Sequence, residues 1–419
     1  MRRLDWGARS SAAFYRSLET ALEERTGPVR MDPVRNPYTP GAGLRPPELA
    51  GREDELRRFS VVLERAARGR PERGTVLTGP RGAGKTALLN AFRSLAVQRL
   101  WGTGGFEARP GRSLRGPLAA ALHTALRELA PRHRAPDRVE YVLGVLKSFA
   151  RTGTAPGERR HPGIDAVSVR GRADSGDIGT DLAELFADAA SIATDLGTGI
   201  ALFIDEMQEL DADDLSALCT ACHDLAQSGG PLLVVGAGLP HLPAALSAGR
   251  GYSERLFRYT AVAGLSRSDA QRAVTAPAEP EGVGFRAEAL EALYRLSDGH
   301  PYLLQTYAKA AWDAAAQSPI TAEDVAAGAA EAEEELDAGF FGGRYRSAAP
   351  AERTVLHAMA GLGDGPVRTE ELSAAVALRP AALTAARASL SEKGLIHESG
   401  PDELAFSVPA FARFLRRTA

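Results

Sequence analysis

Gly79-Pro80-Arg81-Gly82-Ala83-Gly84-Lys85-Thr86 is the stretch that decides the fold of this 419-residue chain. It follows a short apolar run, Thr75-Val76-Leu77-Thr78, and leads into an apolar-periodic segment from Lys85 to about residue 100. That order of strand, loop and helix is the one a phosphate-binding loop requires. The pattern G-x-x-x-x-G-K-[ST] has a mechanism behind it. Glycines permit torsions and close approach that a Cβ would block, so successive N–H groups turn towards phosphates. The helix opening at Gly84-Lys85 adds its positive N-terminal end. On this reading the loop, with Ala87 directly behind it, surrounds a purine nucleotide. Lys85 bridges the β- and γ-phosphates, and the Thr86 hydroxyl ligates Mg²⁺. Lysine occurs only at 85, 147, 309 and 393, which leaves 46 of the 50 Lys and Arg positions to arginine. In a chain with that bias, which suits a GC-rich bacterial, actinobacterial-type genome, a lysine at this position is not background.

Outward from the loop the chain alternates strands and helices. A second buried run, Ile200-Ala201-Leu202-Phe203-Ile204, ends on Asp205-Glu206, at the strand end where ligands of parallel sheets lie. Asp205 is placed to hold Mg²⁺ through its water shell, and Glu206 to orient and partly deprotonate an attacking water. The plainer alternative is that the two acids cap the next helix. A helix is expected at 181–196 and another at 212–228, a third strand over 231–236 and a fourth near 258–265. Such alternation predicts a parallel sheet with helices on both faces. Residues 101–180 are harder to read: helices fit 117–130 and 137–150, and the Gly-, Arg- and Asp-rich part from 151 to 180 predicts a mobile loop.

After Leu265 the strand signal stops. Residues 268–276, 286–297, 301–316 and 321–337 read as helices. Three further helical patterns follow at 351–361, 369–377 and 380–393, and then a hairpin from Gly394 to Val408, the outline of a winged helix. At the other end, 8–26 reads as an amphipathic helix carrying Phe14, Leu18 and Leu22, and 36–47 as a Pro-rich extended segment. The expected fold class is therefore α/β, a P-loop NTPase sheet with a helical lid and a C-terminal winged helix. The expected domains are 1–50, an N-terminal helix and extended segment; 51–265, the ATPase core, with 101–180 as a partly mobile insertion; 266–345, the lid; and 346–419, the winged helix.

Composition narrows the function classes. Apolar residues make up 44% and charged residues 25%, as in an ordinary globular protein, and the net charge of −3 argues against a surface that grips nucleic acid throughout. No run of 18 apolar residues predicts a membrane span. Asp5, Arg9 and Arg16 interrupt any signal-peptide stretch, so the cytoplasm is the expected compartment.

The apolar strand ending in Asp205-Glu206, the Gly51-Arg52-Glu53 entry before the loop and the helical segment after the sheet resemble the AAA+ ATPases and the related STAND signalling ATPases, the archaeal-ATPase-like group in particular. The resemblance runs from about Asn36 to the C-terminus and is weak between 101 and 180. It implies ATP and Mg²⁺ as ligands, with Arg52 near the nucleotide and 36–51 draped over the adenine side. Asp298-Gly299-His300-Pro301 is similar to the Gly-x-Pro of STAND relatives, which sets Pro301 and its backbone by the nucleotide; a helix stop followed by a first-turn proline explains the spacing as well. Family resemblance sets an arginine finger near Arg255, acting on a neighbouring subunit of a homo-oligomer. Where many AAA+ enzymes carry a polar sensor, Gly236-Ala237-Gly238-Leu239-Pro240 has none, which favours slow turnover. The function implied is an ATP-hydrolysing conformational switch, in signalling or regulation, that works on a protein partner. The alternatives are a DNA-handling ATPase, like the origin-recognition initiators or transposition helpers, and a nucleotide-dependent scaffold with little turnover.

Two other patterns weigh less. Cys219-Thr220-Ala221-Cys222-His223 matches a haem-attachment motif in form, but it falls on one apolar helix face with Leu215, Leu218, Leu225 and Ala226, where cysteine serves as a small hydrophobe. The candidate DNA module, residues 346–419, carries eight basic and eight acidic side chains between 349 and 419. A neutral surface has little of the phosphate attraction that dominates DNA affinity.

Overall fold

The computed structural model describes residues 29–41, 43–152, 163–249 and 253–418. The helix expected over 8–26 lies outside the described residues, as does the part of the expected mobile loop from 153 to 162.

The core is a five-stranded parallel sheet formed by β1 (Gly74–Thr78), β2 (Gly102–Glu107), β3 (Ile200–Asp205), β4 (Leu232–Gly238) and β5 (Phe257–Ala261), in the order β2-β3-β4-β1-β5. Because side chains alternate along a strand, apolar runs buried on both sides feed two separate cores. Leu77, Ala201, Phe203, Leu233, Val235 and Ala237 face helices Glu53–Ala67 and Lys85–Gln98, where Phe59 and Phe92 stack at 4.2 Å. Val76, Ile200, Leu202, Ile204, Leu232 and Val234 face the other way, onto helices Arg115–Leu129, Ile178–Asp195 and Ala212–Ser228. The carboxyl ends of β1 and β3, with β4 between them, put the glycine loop and Asp205 on one rim of the sheet.

Strand β2 was not legible, because Gly102-Thr103-Gly104-Gly105-Phe106-Glu107 looks like a turn. Its glycines have a packing reason. A Cβ on Gly104 would stand 2.0 Å from the Ala121 carbonyl oxygen, and one on Gly102 would stand 2.7 Å from that of Ala125. Helix Arg115–Leu129 thus lies directly on the edge strand, an approach that only glycine permits. The described part of the stretch expected to be mobile is held in place. Buried Asp181 pairs with Arg115 at 3.0 Å and accepts from the N–H and hydroxyl of Ser175, while the Val169 N–H donates to Gly144.

Helices Arg267–Ala278, Ala287–Ser297, Pro301–Ala314 and Ala322–Leu336 form the helical segment after the sheet. A π-turn at Asp337–Phe341 and the short helix Gly342–Ser347 lead to the C-terminal module. There the order is helix Pro350–Leu362, β6 (Val367–Arg368), helices Thr369–Ala375 and Pro380–Glu392, β7 (Ile396–Gly400), β8 (Glu403–Phe406) and helix Phe411–Arg417. The strands form an antiparallel sheet in the order β6-β8-β7. One apolar core runs without interruption from the lid helices into this module, through Phe341, Phe411 and Phe414. The extended N-terminal segment joins the same core. Tyr38 is buried against Trp312 and donates its hydroxyl to the Val274 carbonyl at 2.6 Å, and Asn36 donates to Asp313 at 2.7 Å. Among the described residues no helix is long and apolar enough to cross a membrane.

Gly104→Ala is expected to lower stability by about 2–3 kcal/mol in chemical denaturation, since backbone must move to admit one methyl group. Gly361→Ala, in an open helical position with nothing within 4 Å, should stay within about 1 kcal/mol of wild type and on the stabilising side.

Candidate functional site

At the carboxyl rim of β1 the chain turns through Gly82 (φ +80°) and Gly84 (φ +93°), left-handed torsions that favour glycine, into helix Lys85–Gln98. A cleft of about 1160 Å³, open mouth included, lies in front of this turn. Its walls include Arg81, Gly82, Gly84, Lys85, Thr86 and Ala87 from the loop, Glu206 from beyond β3, and Pro301 and Tyr302 from the lid. Thr39, Gly43 and Leu44 of the N-terminal segment close another side.

The side chains are arranged for an anion and a cation. Thr86 Oγ1 donates to Asp205 Oδ2 at 2.7 Å, which joins the loop to the end of β3. Burial pushes the Asp205 carboxyl above the usual range, while the bonds from Thr86 and from the Glu206 N–H (2.9 Å) oppose the shift. Lys85 is 6% exposed, and its Nζ donates to the Gly79 and Pro80 carbonyls at 2.8 and 2.9 Å. Burial lowers its pKa to about 8, against the attraction of Glu206 and Asp205. Among the described residues no group of three or more His, Cys, Asp or Glu is placed to hold a metal. Thr86 and Asp205 nevertheless fit Mg²⁺, which takes one or two protein oxygens and fills its octahedron with water and phosphate oxygens.

Other residues singled out by sequence fall in different places. Gly79 and Pro80 do not line the cleft. The Gly79 N–H donates to Gly238 in the sheet (3.3 Å), and a Cβ there would stand 2.3 Å from the Val262 carbonyl, so Gly79 serves the join between sheet and loop. Ala83 and Arg52 are buried beside the cleft; Arg52 donates to the Ala263 carbonyl at 2.5 Å and approaches that of Ala83 at 3.4 Å, tying the segment after β5 to the loop. Arg255 stands near Glu72, Arg73 and Gly74, at the amino end of β1. The strand separates it from its own glycine loop by about 13 Å. Cys219 is buried in helix Ala212–Ser228, as a small hydrophobe would be.

Three residues that sequence reasoning missed complete the rim. His300 is 3% exposed, and burial lowers its pKa to about 4, so the ring is neutral. Its Nε2–H donates to the Arg81 carbonyl at 2.9 Å while Nδ1 accepts from the Leu303 N–H at 3.4 Å, and one neutral tautomer satisfies both bonds. A Cβ on Gly82 would stand 2.5 Å from this ring. Gln208 is the second. Its Nε2 donates to Glu206 Oε2 at 2.6 Å and to Glu209 at 3.1 Å, and its Oε1 accepts from the Leu239 N–H at 3.1 Å. The strand end with no polar side chain of its own thus receives an amide from the loop after β3. The glycines there make room for it, since a Cβ on Gly236 would meet Met207 Sδ at 2.5 Å and one on Gly238 would meet Gln208 Oε1 at 2.6 Å. Glu206 itself has φ +48°, an uncommon torsion for a residue with a side chain, and lies 3.6 Å from Arg81. Arg344, the third, reaches the cleft from the helix after the π-turn.

Residues 48–235 match the AAA ATPase domain, and residues 338–415 match a domain of unknown function (DUF8462). No curated protein matches the sequence. Among solved structures, the Walker-type ATPase PABY2304 of Pyrococcus abyssi is 17% identical and superposes with a TM-score of 0.59, over 88% of this chain and 96% of that one. The likeness is one of fold, that of a P-loop ATPase. The Aeropyrum pernix Orc1 protein in complex with DNA (16% identity, TM-score 0.44, 91% and 96% covered) and the Thermotoga maritima RuvB Holliday junction branch migration motor (19%, 0.43, 87% and 95%) overlap too loosely to bear on the argument.

The low Lys85 value has a direct test. Its folded pKa lies below the unfolded one, so the folded chain binds fewer protons there between pH 8 and 10.5, and this residue's effect on stability becomes more favourable as pH rises through that window. With only four lysines in the chain, NMR of ¹³C-labelled lysine should show one resonance titrating near pH 8 that disappears in Lys85→Arg. A spectrum with no lysine titrating below about pH 9 contradicts the buried setting derived for Lys85.

Proposed function

We propose that the chain binds ATP with Mg²⁺ in this cleft, hydrolyses it to ADP and phosphate, and uses the nucleotide as a conformational switch between the ATPase core and its C-terminal half. The observation that carries the reading is the 2.7 Å contact of Thr86 with Asp205, which joins the glycine loop to the acid pair in a cleft roofed by lid residues. Gly82, Gly84, Lys85, Thr86 and Ala87 hold the phosphates, with Arg81 and Pro301 at the edge, and Arg52 supports the loop from behind. Thr86 and Asp205 hold Mg²⁺, which when bound offsets charge developing on the phosphates. Glu206 orients and deprotonates the attacking water. Arg255, too far from its own loop, acts on the next subunit of a homo-oligomer.

The switch rests on contacts rather than on a missing polar side chain, whose place Gln208 takes. Gly394, in the left-handed conformation that ends helix Pro380–Glu392, sits against Leu239, where a Cβ would be 2.9 Å from Leu239 Cδ1 and 3.5 Å from Arg81 Nε. Glu206, Gln208, Leu239 and Gly394 therefore form a continuous chain of neighbours from the acid pair to the C-terminal module. We read that module as a winged helix from its helix-strand-helix-helix-strand-strand order, and as a surface for a protein partner. A DNA-handling role has less support. The end of the helix that would read DNA is turned to the ATPase core, and its Lys393 is paired with Glu352 at 2.6 Å. A scaffold with little turnover remains the outcome if phosphate release is absent.

Lys85→Ala should abolish binding of Mg·ATP in isothermal titration; undiminished affinity would show the site to be misplaced. Glu206→Gln should keep ATP affinity and slow phosphate release by about 100-fold or more, and unchanged release rejects Glu206 as the activating base. For Arg255→Ala the expected effect is slower hydrolysis only in assembled subunits, so a monomeric wild type whose turnover the substitution leaves intact excludes action in trans.

A further inference from the structure

Arg344 lies on an aromatic ring at the edge of the cleft. Among the described residues no carboxylate pairs with its guanidinium, whose neighbours are instead the Phe340 ring, 3.6 Å from Cζ, and the Phe340 carbonyl, to which Nη1 donates. Burial and the nearby Arg81 lower its pKa to about 10. Arg115, buried in the ATPase core, by contrast has Asp181 at 3.0 Å. Two guanidiniums near each other in a partly enclosed cleft repel, a cost that an anion between them offsets.

The side chain is also held in place. Phe340, on which it lies, stacks on Tyr302 with ring centroids 4.7 Å apart, and the Tyr302 N–H approaches the Gly82 carbonyl at 3.4 Å. The guanidinium therefore lines the same cleft as Lys85, Thr86 and Glu206. Three cations, Arg81, Lys85 and Arg344, line it with a single carboxylate, Glu206. A site so biased suits a ligand with several negative charges at one end, and a planar guanidinium suits phosphate oxygens in particular. Packing on Phe340 alone asks for no charge and would be met as well by methionine.

We propose that Arg344 is a ligand of the nucleotide's terminal phosphate, so that the cation distinguishing triphosphate from diphosphate comes from the segment leading into the C-terminal module. The assignment rests on reading the cleft as a nucleotide site. It gives the module its own hold on the nucleotide: a diphosphate leaves Arg344 without its partner, and the helix Gly342–Ser347 that carries it is continuous with the π-turn and with helix Pro350–Leu362 after a short link.

The test is titration of wild type, Arg344→Met and Arg344→Lys with Mg·AMP-PNP, a non-hydrolysable triphosphate, and with Mg·ADP. Losing a charged hydrogen bond to the terminal phosphate should weaken AMP-PNP binding by about 10- to 100-fold in Arg344→Met, with ADP affinity kept within about twofold. Arg344→Lys should fall between, and thermal melting without nucleotide should be unchanged. Equal affinities in variant and wild type, or equal losses for both nucleotides, overturn the assignment. If the methionine variant does not fold, Arg344→Gln carries the same comparison. Were wild type to bind neither nucleotide, the nucleotide reading itself would fall; wild-type binding with an unchanged variant removes Arg344 alone.

Discussion

The bond from the His300 imidazole to the Arg81 carbonyl ties the helical segment to the glycine loop, and much of the architecture is arranged around it. Burial keeps the ring neutral, so that Nδ1 can accept from the Leu303 N–H while Nε2–H donates, and the bond requires a loop residue without a Cβ at 82, where φ +80° already favours glycine. It also requires close approach behind the histidine, since a Cβ on Gly299 would stand 2.3 Å from the Leu265 carbonyl. One hydrogen bond of this kind contributes about 0.5–1.5 kcal/mol. Its importance lies in what moves with it. The lid helices, the N-terminal segment through Tyr38 and the C-terminal module share one apolar core, and Pro301–Ala314 is part of it.

A second line of contact runs through the end of β4. Met207 and Gln208 enter from the loop after β3, and Gly236 and Gly238 exist to admit them. The same strand end meets Gly394 of the C-terminal module. Glu206, held by Gln208 and approached by Arg81, is thereby linked by contacts to the place where the module docks. Two independent routes, through His300 and through Gln208, connect the phosphate loop and the acid pair to the same half of the chain. That arrangement suits a switch better than an ATPase core that works alone.

Much of this architecture is legible in the sequence alone. Strands β1, β3 and β4 are apolar runs buried on both faces, so composition alone marks them, and helix Ala212–Ser228 begins and ends where its capping aspartate and glycine stand. The glycine loop and Asp205-Glu206 were readable because each residue type there has a chemical reason. What escaped was whatever depends on a partner distant in sequence. Strand β2 is glycine-rich because a helix lies on it, and periodicity carries no trace of that. Gln208 could not be assigned to the end of β4 from a sequence in which 31 residues separate it from Leu239. Arg344 is one arginine among 46, and its place on the Phe340 ring at the cleft is a fact of packing. His300 did carry a signal, a histidine between a glycine and a first-turn proline, but its reach to the loop is a fact of packing.

The central claim is that nucleotide in the cleft is felt by the C-terminal half of the chain. Hydrogen exchange of the full chain, compared with Mg·AMP-PNP and with Mg·ADP, tests it most directly. The account predicts that protection differs between the two nucleotides at residues 338–347 and 389–395 as well as in the glycine loop. Differences confined to the loop and the ends of β1 and β3, with both C-terminal segments unchanged, would contradict it.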